Sequence, residues 1–197
     1  MRTSLKLALG LLALSVSIAS VAAVQSGTDA ATPNEGELAT LLATGQGPGD
    51  AVGPDLAILL GEGDQPIDPA TTRHLSSRNG FDYFIAQTAK DDVCLLIVHA
   101  TDLATDYAKN CAPPLRFDEH GLSLELGVAY GMHQVAPDEV AGALLVPDRV
   151  ADSAALRTVG EVSGNLVYLN PTRDQGVLAI ANDDTEFSIL IPGRWEP

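Results

Sequence analysis

Lysine is nearly missing from this chain, with only Lys6, Lys90 and Lys109 present. Lysine and arginine together number 11 against 26 acidic residues, giving a formal charge of −15. Such a polyanion repels phosphate backbones and anionic headgroups, which excludes nucleic acid and acidic lipid surfaces as general partners. Aromatic residues make up 5% of the chain, and Trp195 is the single tryptophan. The core must therefore rest on aliphatic side chains, with Trp195 expected to plug it from the last strand or else to form part of a partner surface.

Catalytic signatures are also missing. A serine-hydrolase elbow needs G-x-S-x-G, and Gly160-Glu161-Val162-Ser163-Gly164 has its serine one place late. Gly45-Gln46-Gly47-Pro48-Gly49 follows no strand and carries a proline, so it is not a dinucleotide loop. No alternating acidic loop of the calcium-binding kind occurs. The paired acids Asp91-Asp92 and Asp183-Asp184 fall where hairpin turns favour aspartate. His74, His99, His120 and His133 are scattered, with no two at helical i, i+4 spacing; His99, at a strand end, is the best placed for chemistry. Nothing in these patterns calls for a metal or an organic cofactor, and no catalytic residue is assigned.

What the chain does have begins at its start. Arg2 and Lys6 precede a run from Leu7 to Val24 made only of apolar residues, glycine and serine. Small residues cluster at its far end, in Ser20-Val21-Ala22-Ala23. This order of charge, apolar stretch and small residues is that of a secretory signal, with cleavage after Ala22 or Ala23. The same run is near the lower limit for a retained anchor across roughly 30 Å of hydrocarbon. Either way, the flanking charges place the remaining chain outside the cytoplasm. The membrane is met only through residues 1–24, and losing Arg2 and Lys6 takes the formal charge from −15 to −17.

Residues 25–69 read as a Gly- and Pro-rich spacer. Two apolar pieces interrupt it: a helix from Glu35 to Thr44 capped by Asn34 and stopped by Gly45, and a run from Asp55 to Leu60. Residues 70–197 read as a β-rich domain. Strands are expected at Phe81 to Ala89, Val93 to Val98, Leu122 to Tyr130, Val140 to Val146, Leu166 to Leu169, Val177 to Ala181 and Glu186 to Ile191. The apolar run Val93 to Val98 should be central and buried on both faces. Asp102 is placed to cap a turn of helix through Lys109, where Asp102 and Asp106 would share one face as a cap and a solvated pair. Pro113-Pro114 should open a second helix at Leu115 to His120, with Gly121 as its stop. The fold class is α+β and mainly antiparallel β: one small disulfide-bridged sheet domain with one or two short helices, behind an N-terminal hydrophobic helix and spacer.

The two cysteines are Cys94 and Cys111. In an exported chain an even pair reads first as a disulfide, and the C-x-x-C spacing of a redox pair is absent. Zinc would need further ligands that do not accompany them. A disulfide closing a loop of this size stabilises by about 3 kcal/mol on the chain-entropy model.

A resemblance rests on Thr72-Arg73-His74-Leu75, Tyr83-Phe84-Ile85-Ala86, Asp92-Val93-Cys94-Leu95-Leu96-Ile97, Asn110-Cys111, Phe117, Gly121-Leu122-Ser123-Leu124 and Leu145-Val146-Pro147-Asp148. Over about Ile67 to Val150 the chain is similar to small uncharacterised actinobacterial envelope proteins. These carry an N-terminal hydrophobic segment, a spacer, a "V-C-L" strand, a second cysteine and a "V-P-D-G" turn. Arg149 stands where the group has glycine, so a tight left-handed turn is not expected there. The resemblance implies the compartment and the disulfide, and it carries no activity. The function these readings favour is a non-catalytic envelope protein, secreted or anchored outside the cytoplasm, binding an envelope protein, peptide or glycan. The alternative is an extracytoplasmic hydrolase with an unfamiliar site.

Overall fold

The computed structural model describes residues 38–101, 105–127, 140–170, 175–182 and 185–192. The N-terminal segment 1–24, Asn34, Asp102, His133, Asp183, Asp184 and Trp195 lie outside the described residues. Among the described residues no helix is long and apolar enough to cross a membrane.

The first sheet is an antiparallel meander of β1 (Arg73–Arg78), β2 (Phe81–Gln87), β3 (Val93–Ala100) and β4 (Thr105–Ala112), in that spatial order. Asn79 and Gly80, at φ 52° and 81°, turn β1 into β2 with the two positive dihedrals that tight hairpins require. The second sheet contains β5 (Leu122–Gly127), β6 (Val140–Leu145), β7 (Gly160–Ser163) and β8 (Leu166–Leu169), in the order β5-β6-β8-β7. A separate hairpin joins β9 (Gly176–Asn182) to β10 (Thr185–Ile191), with Thr185 opposite Asn182.

Strand alternation sorts the apolar residues into three contiguous cores. Phe81, Tyr83, Ile85, Leu95 and Ile97 of the first sheet pack against Leu122, Ala143, Leu145 and Leu166 of the second. The opposite face of the first sheet, with Phe84, Ala86, Cys94, Leu96 and Val98, is covered by Leu56, Leu60 and Ile67. The opposite face of the second, with Leu144, Val146, Val167 and Leu169, is covered by Ile180, Phe187, Ile189 and Ile191 of the last hairpin. Four layers result: a short helix, two sheets and a hairpin. Burying each such aliphatic side chain stabilises by roughly 1.5–3 kcal/mol, and this is what holds the layers together. The central position of β3 follows directly, since Val93 to Val98 are buried on both faces.

The helix expected to run through Lys109 does not form. Residues 105–112 are β4, paired in register with β3 from Ala100↔Thr105 to Val93↔Ala112. Ala108 and Lys109 favour a helix locally and Asp102 offers it a cap, but a helix would leave the edge of β3 unpaired. Pairing instead places Tyr107 and Cys111 on the face beneath Leu56 and Leu60, and Ala112 in the inter-sheet core. Asp106 accordingly sits opposite His99 on a strand.

The helix after the double proline forms as expected: α3 (Pro114–His120) ends at Gly121, at φ 61°. The tetrapeptide Val146-Pro147-Asp148-Arg149 leads into a short helix, α4 (Asp148–Ala151), rather than a left-handed turn. Arg149 uses its side chain there, with Nε 3.0 Å from Asp118 Oδ1 and the guanidinium 5.8 Å from the Phe187 ring.

The spacer also contributes structure, with α1 (Leu38–Ala43) and α2 (Pro54–Leu60) near the two expected apolar pieces. Its docking is extensive. Leu38, Leu56, Leu60 and Ile67 are buried, and Gln46 Nε2 donates to Pro69 O at 2.7 Å and to Thr72 Oγ1 at 2.8 Å. Asp50 accepts from Gly47 N and His74 N, at 2.7 and 2.9 Å. Arg73 is 4% exposed, and its guanidinium donates to the carbonyls of Ala70 and Thr72 and to Thr44, just beyond α1. A cation at that helix end also complements the helix dipole.

Candidate functional site

Cys94 and Cys111 are directly opposed on β3 and β4 and form a disulfide, with their Cα atoms 4.1 Å apart. Such a bond persists in an oxidising compartment, which supports an extracytoplasmic setting. His99 lies on the opposite face of β3, its ring centroid 5.0 Å from that of Phe81, as alternation requires.

Two clefts gather polar side chains. One, of about 970 Å³, lies between the first sheet and the strap from Pro48 to Leu56. On its floor His74 Nε2 is 3.0 Å from Ser77 Oγ and 3.5 Å from Asp82 Oδ1. Ser77 Oγ donates to that same carboxylate oxygen at 2.5 Å. This brings His74 together with two residues that no spacing marked. It is not a nucleophile relay, because both oxygen atoms meet one ring nitrogen and the serine proton goes to Asp82. A hydrolytic triad needs serine and carboxylate on different ring nitrogens. The hydrogen bond from His74 holds the Asp82 carboxyl below its ordinary value, despite the opposing effect of burial.

The other cleft, of about 680 Å³, opens at the end of the inter-sheet space beside the β1–β2 turn. Six elements line it: β1, β2, β6, β7, β8 and the 3-10 turn before β7. β1 ends in Arg78, whose guanidinium lies 4.7 Å from the Tyr168 ring centroid and whose Nη1 is 2.8 Å from Glu161 Oε2. β2 supplies Tyr83, edge-on to Tyr168 with ring centroids 5.2 Å apart. β8 carries Tyr168, whose hydroxyl donates to Ser76 Oγ across the sheets. The 3-10 turn Ala154–Thr158 adds Arg157 and Thr158, both exposed. Burial, with a smaller contribution from neighbouring Tyr168, pushes the Tyr83 phenol up to about 12.

One wall of this second cleft depends on a glycine. A Cβ on Gly160 would stand 2.0 Å from Tyr168 O, so only glycine lets β7 approach β8 this closely. Gly160 pairs with Leu169, and Asn170 N then donates to Val159 O at 3.1 Å, carrying the chain along β7 beyond the end of β8.

Sequence reasoning found the disulfide but not the clefts. Arg78, Tyr83, Arg157, Glu161 and Tyr168 are spread over five elements or turns with no shared spacing. Only the Asn79-Gly80 turn beside Arg78 left a local signal. His99 and His120 line neither cleft; His120 Nδ1 is 3.1 Å from Ser188 O. Among the described residues no group of three or more His, Cys, Asp or Glu is arranged to hold a metal ion. Comparison with protein-family models, curated proteins and solved structures finds no match.

Proposed function

We propose that the chain is a non-catalytic binding module of the cell envelope, working outside the cytoplasm, with its ligand in the cleft of Arg78, Tyr83, Arg157 and Tyr168. The observation that carries this reading is the convergence of five polar side chains from separate elements on one cleft: Arg78 lies over the Tyr168 ring and pairs with Glu161, Tyr83 meets Tyr168 edge-on, and exposed Arg157 adds a second guanidinium. A few polar groups placed in one concave site are what recognition uses. Burial pushes the Tyr83 phenol up to about 12, so it stands there as a neutral donor. The disulfide supports the compartment, and the order of charge, apolar run and small residues supports residues 1–24 as a signal or anchor.

A second reading, an extracytoplasmic hydrolase, is favoured by the His74–Asp82 pair in the other cleft, a histidine and carboxylate able to act as general base on a water. Crosslinking and pull-down from the native envelope separates the two. Under the binding reading, an adduct seen with the unaltered chain survives His74→Ala and is lost with Arg157→Glu. Loss with His74→Ala and survival with Arg157→Glu contradicts it.

A further inference from the structure

Tyr83 stands in the middle of β2, is 3% exposed, and lines the second cleft. Its neighbour Tyr168 gives its hydroxyl to Ser76, but among the described residues nothing hydrogen-bonds the hydroxyl of Tyr83. Nor is that oxygen sealed from solvent, so it opens into the cleft. Buried polar groups are ordinarily satisfied, and a hydroxyl left over at the base of a cleft is a donor held ready for something that enters.

A guanidinium stands beside it. Arg78 lies over the face of the Tyr168 ring and Tyr83 meets the same ring edge-on. Burial pushes the Tyr83 phenol up, and the opposing influence is the charge of Arg78, which puts that guanidinium within electrostatic reach of the hydroxyl. Arg78 pairs with Glu161 through Nη1, leaving its other N–H groups to the cleft.

The rest of the lining narrows the ligand. Its exposed members are Asn79, Arg157, Thr158, Glu161 and Asn170, all polar. The apolar members are buried or half-buried in the walls, as with Ala141 and Leu169, so there is no open apolar pocket for a peptide side chain. Arg78 and Arg157 against Glu161 leave one positive charge, in a chain of formal charge −15. One surplus charge matches a single carboxylate better than a doubly charged phosphate.

We propose that this cleft binds an acidic sugar, its carboxylate between the Tyr83 hydroxyl and the remaining N–H groups of Arg78, its hydroxyls meeting Arg157, Thr158 and Asn79. The inference rests on the binding-module reading and names its ligand class. A carboxylate accepts from a guanidinium in two-point contact and from a phenol at once, and such charge-assisted bonds are the strong ones. A few polar groups placed around it then fix the orientation of the ring.

The test uses the full chain with its disulfide intact and three small probes titrated by NMR, read at the ring signals of Tyr83 and Tyr168. The probes are methyl glucuronide, the neutral methyl glucoside and acetyl-trialanine with a free carboxylate. The expected result is saturable binding of the glucuronide, with the glucoside and the peptide each weaker by about tenfold or more. Tyr83→Phe keeps the ring against Tyr168 and removes only the hydroxyl, so it should weaken the glucuronide by about tenfold while the β3 amide signals stay in place. Arg157→Gln, at an exposed position, should weaken it as well. Equal binding of glucuronide and glucoside, indifference to Tyr83→Phe, or a peptide bound as tightly as the sugar overturns the proposal. Binding of none of the three also overturns it. In that case an envelope adduct still lost with Arg157→Glu shows the cleft to be a site for another ligand class, and an adduct that survives Arg157→Glu removes the binding reading too.

Discussion

A few individual side chains set both the wiring and the chemistry of the molecule. Arg73 is the clearest case: a guanidinium 4% exposed whose acceptors are main-chain carbonyls at the end of α1 and in the approach to β1. Hydrogen bonds to a charged group contribute roughly 1.5–3 kcal/mol each where they are buried. Arg73→Leu should therefore loosen the 44–50 strap, read as faster amide exchange at Gln46, Gly47 and Asp50 with β3 still protected. Unchanged exchange in the strap would refute the role given to Arg73. Asp82 gives a prediction with a sign. Its carboxyl is lowered in the folded state by His74, so its contribution to stability is present above the ordinary aspartate value. That contribution fades as pH falls through the lowered value. Asp82→Asn should flatten this acid limb of a melting-temperature profile and leave the profile above neutrality parallel to that of the unaltered chain. An unchanged acid limb would contradict the His74–Asp82 interaction.

At the scale of elements, β4 is held to β3 by a ladder and by the cysteine pair. Replacing both cysteines with alanine should cost about 3 kcal/mol, measured by denaturant unfolding, with β4 exchanging first. Gly160→Ala should be severe for a different reason: its Cβ would overlap the Tyr168 carbonyl, so β7 must leave β8 and open the second cleft. Loss of stability should come with loss of the Arg78–Glu161 pair, visible as a change at the Tyr168 ring. Much of this level was legible in the sequence. The apolar run of β3, the Pro-Pro start and glycine stop of α3, and the strands β8 and β10 carry local signals strong enough to be read directly. β4 was not legible, because Thr105 to Ala112 prefers a helix locally and becomes a strand only through β3 and Cys94. β1 and β7 were hidden for a related reason. Each is short and carries polar residues such as Arg73, Ser77 and Glu161, whose partners lie far along the chain. The clefts were invisible because they are made where strands end, and strand ends are set by pairing between distant segments.

At the scale of the whole molecule, three apolar cores stack a helix, two sheets and a hairpin, and both clefts lie where these layers separate. The sheets contribute rigidity, and Arg78 and Tyr168 are held from different elements by their mutual contact and by Glu161 and Ser76, as the proposed recognition requires. The layers beyond the two sheets carry exposed apolar residues, Ile58 and Leu59 on α2 and Val177 and Leu190 on the last hairpin. We propose that the disulfide-linked domain, outside the cytoplasm, engages its ligand at the second cleft and not through these outer layers. A photo-crosslinking scan in intact cells tests it most directly, with the probe placed in turn at Asn79, Thr158, Ile58, Leu115 and Val177. Alkylation before mass measurement then reports the thiol state of each adduct. Adducts are expected from Asn79 and Thr158 alone, on protein that takes up no alkyl group at Cys94 or Cys111. Adducts confined to Ile58, Leu115 or Val177, or carried on protein alkylated at both cysteines, would contradict it.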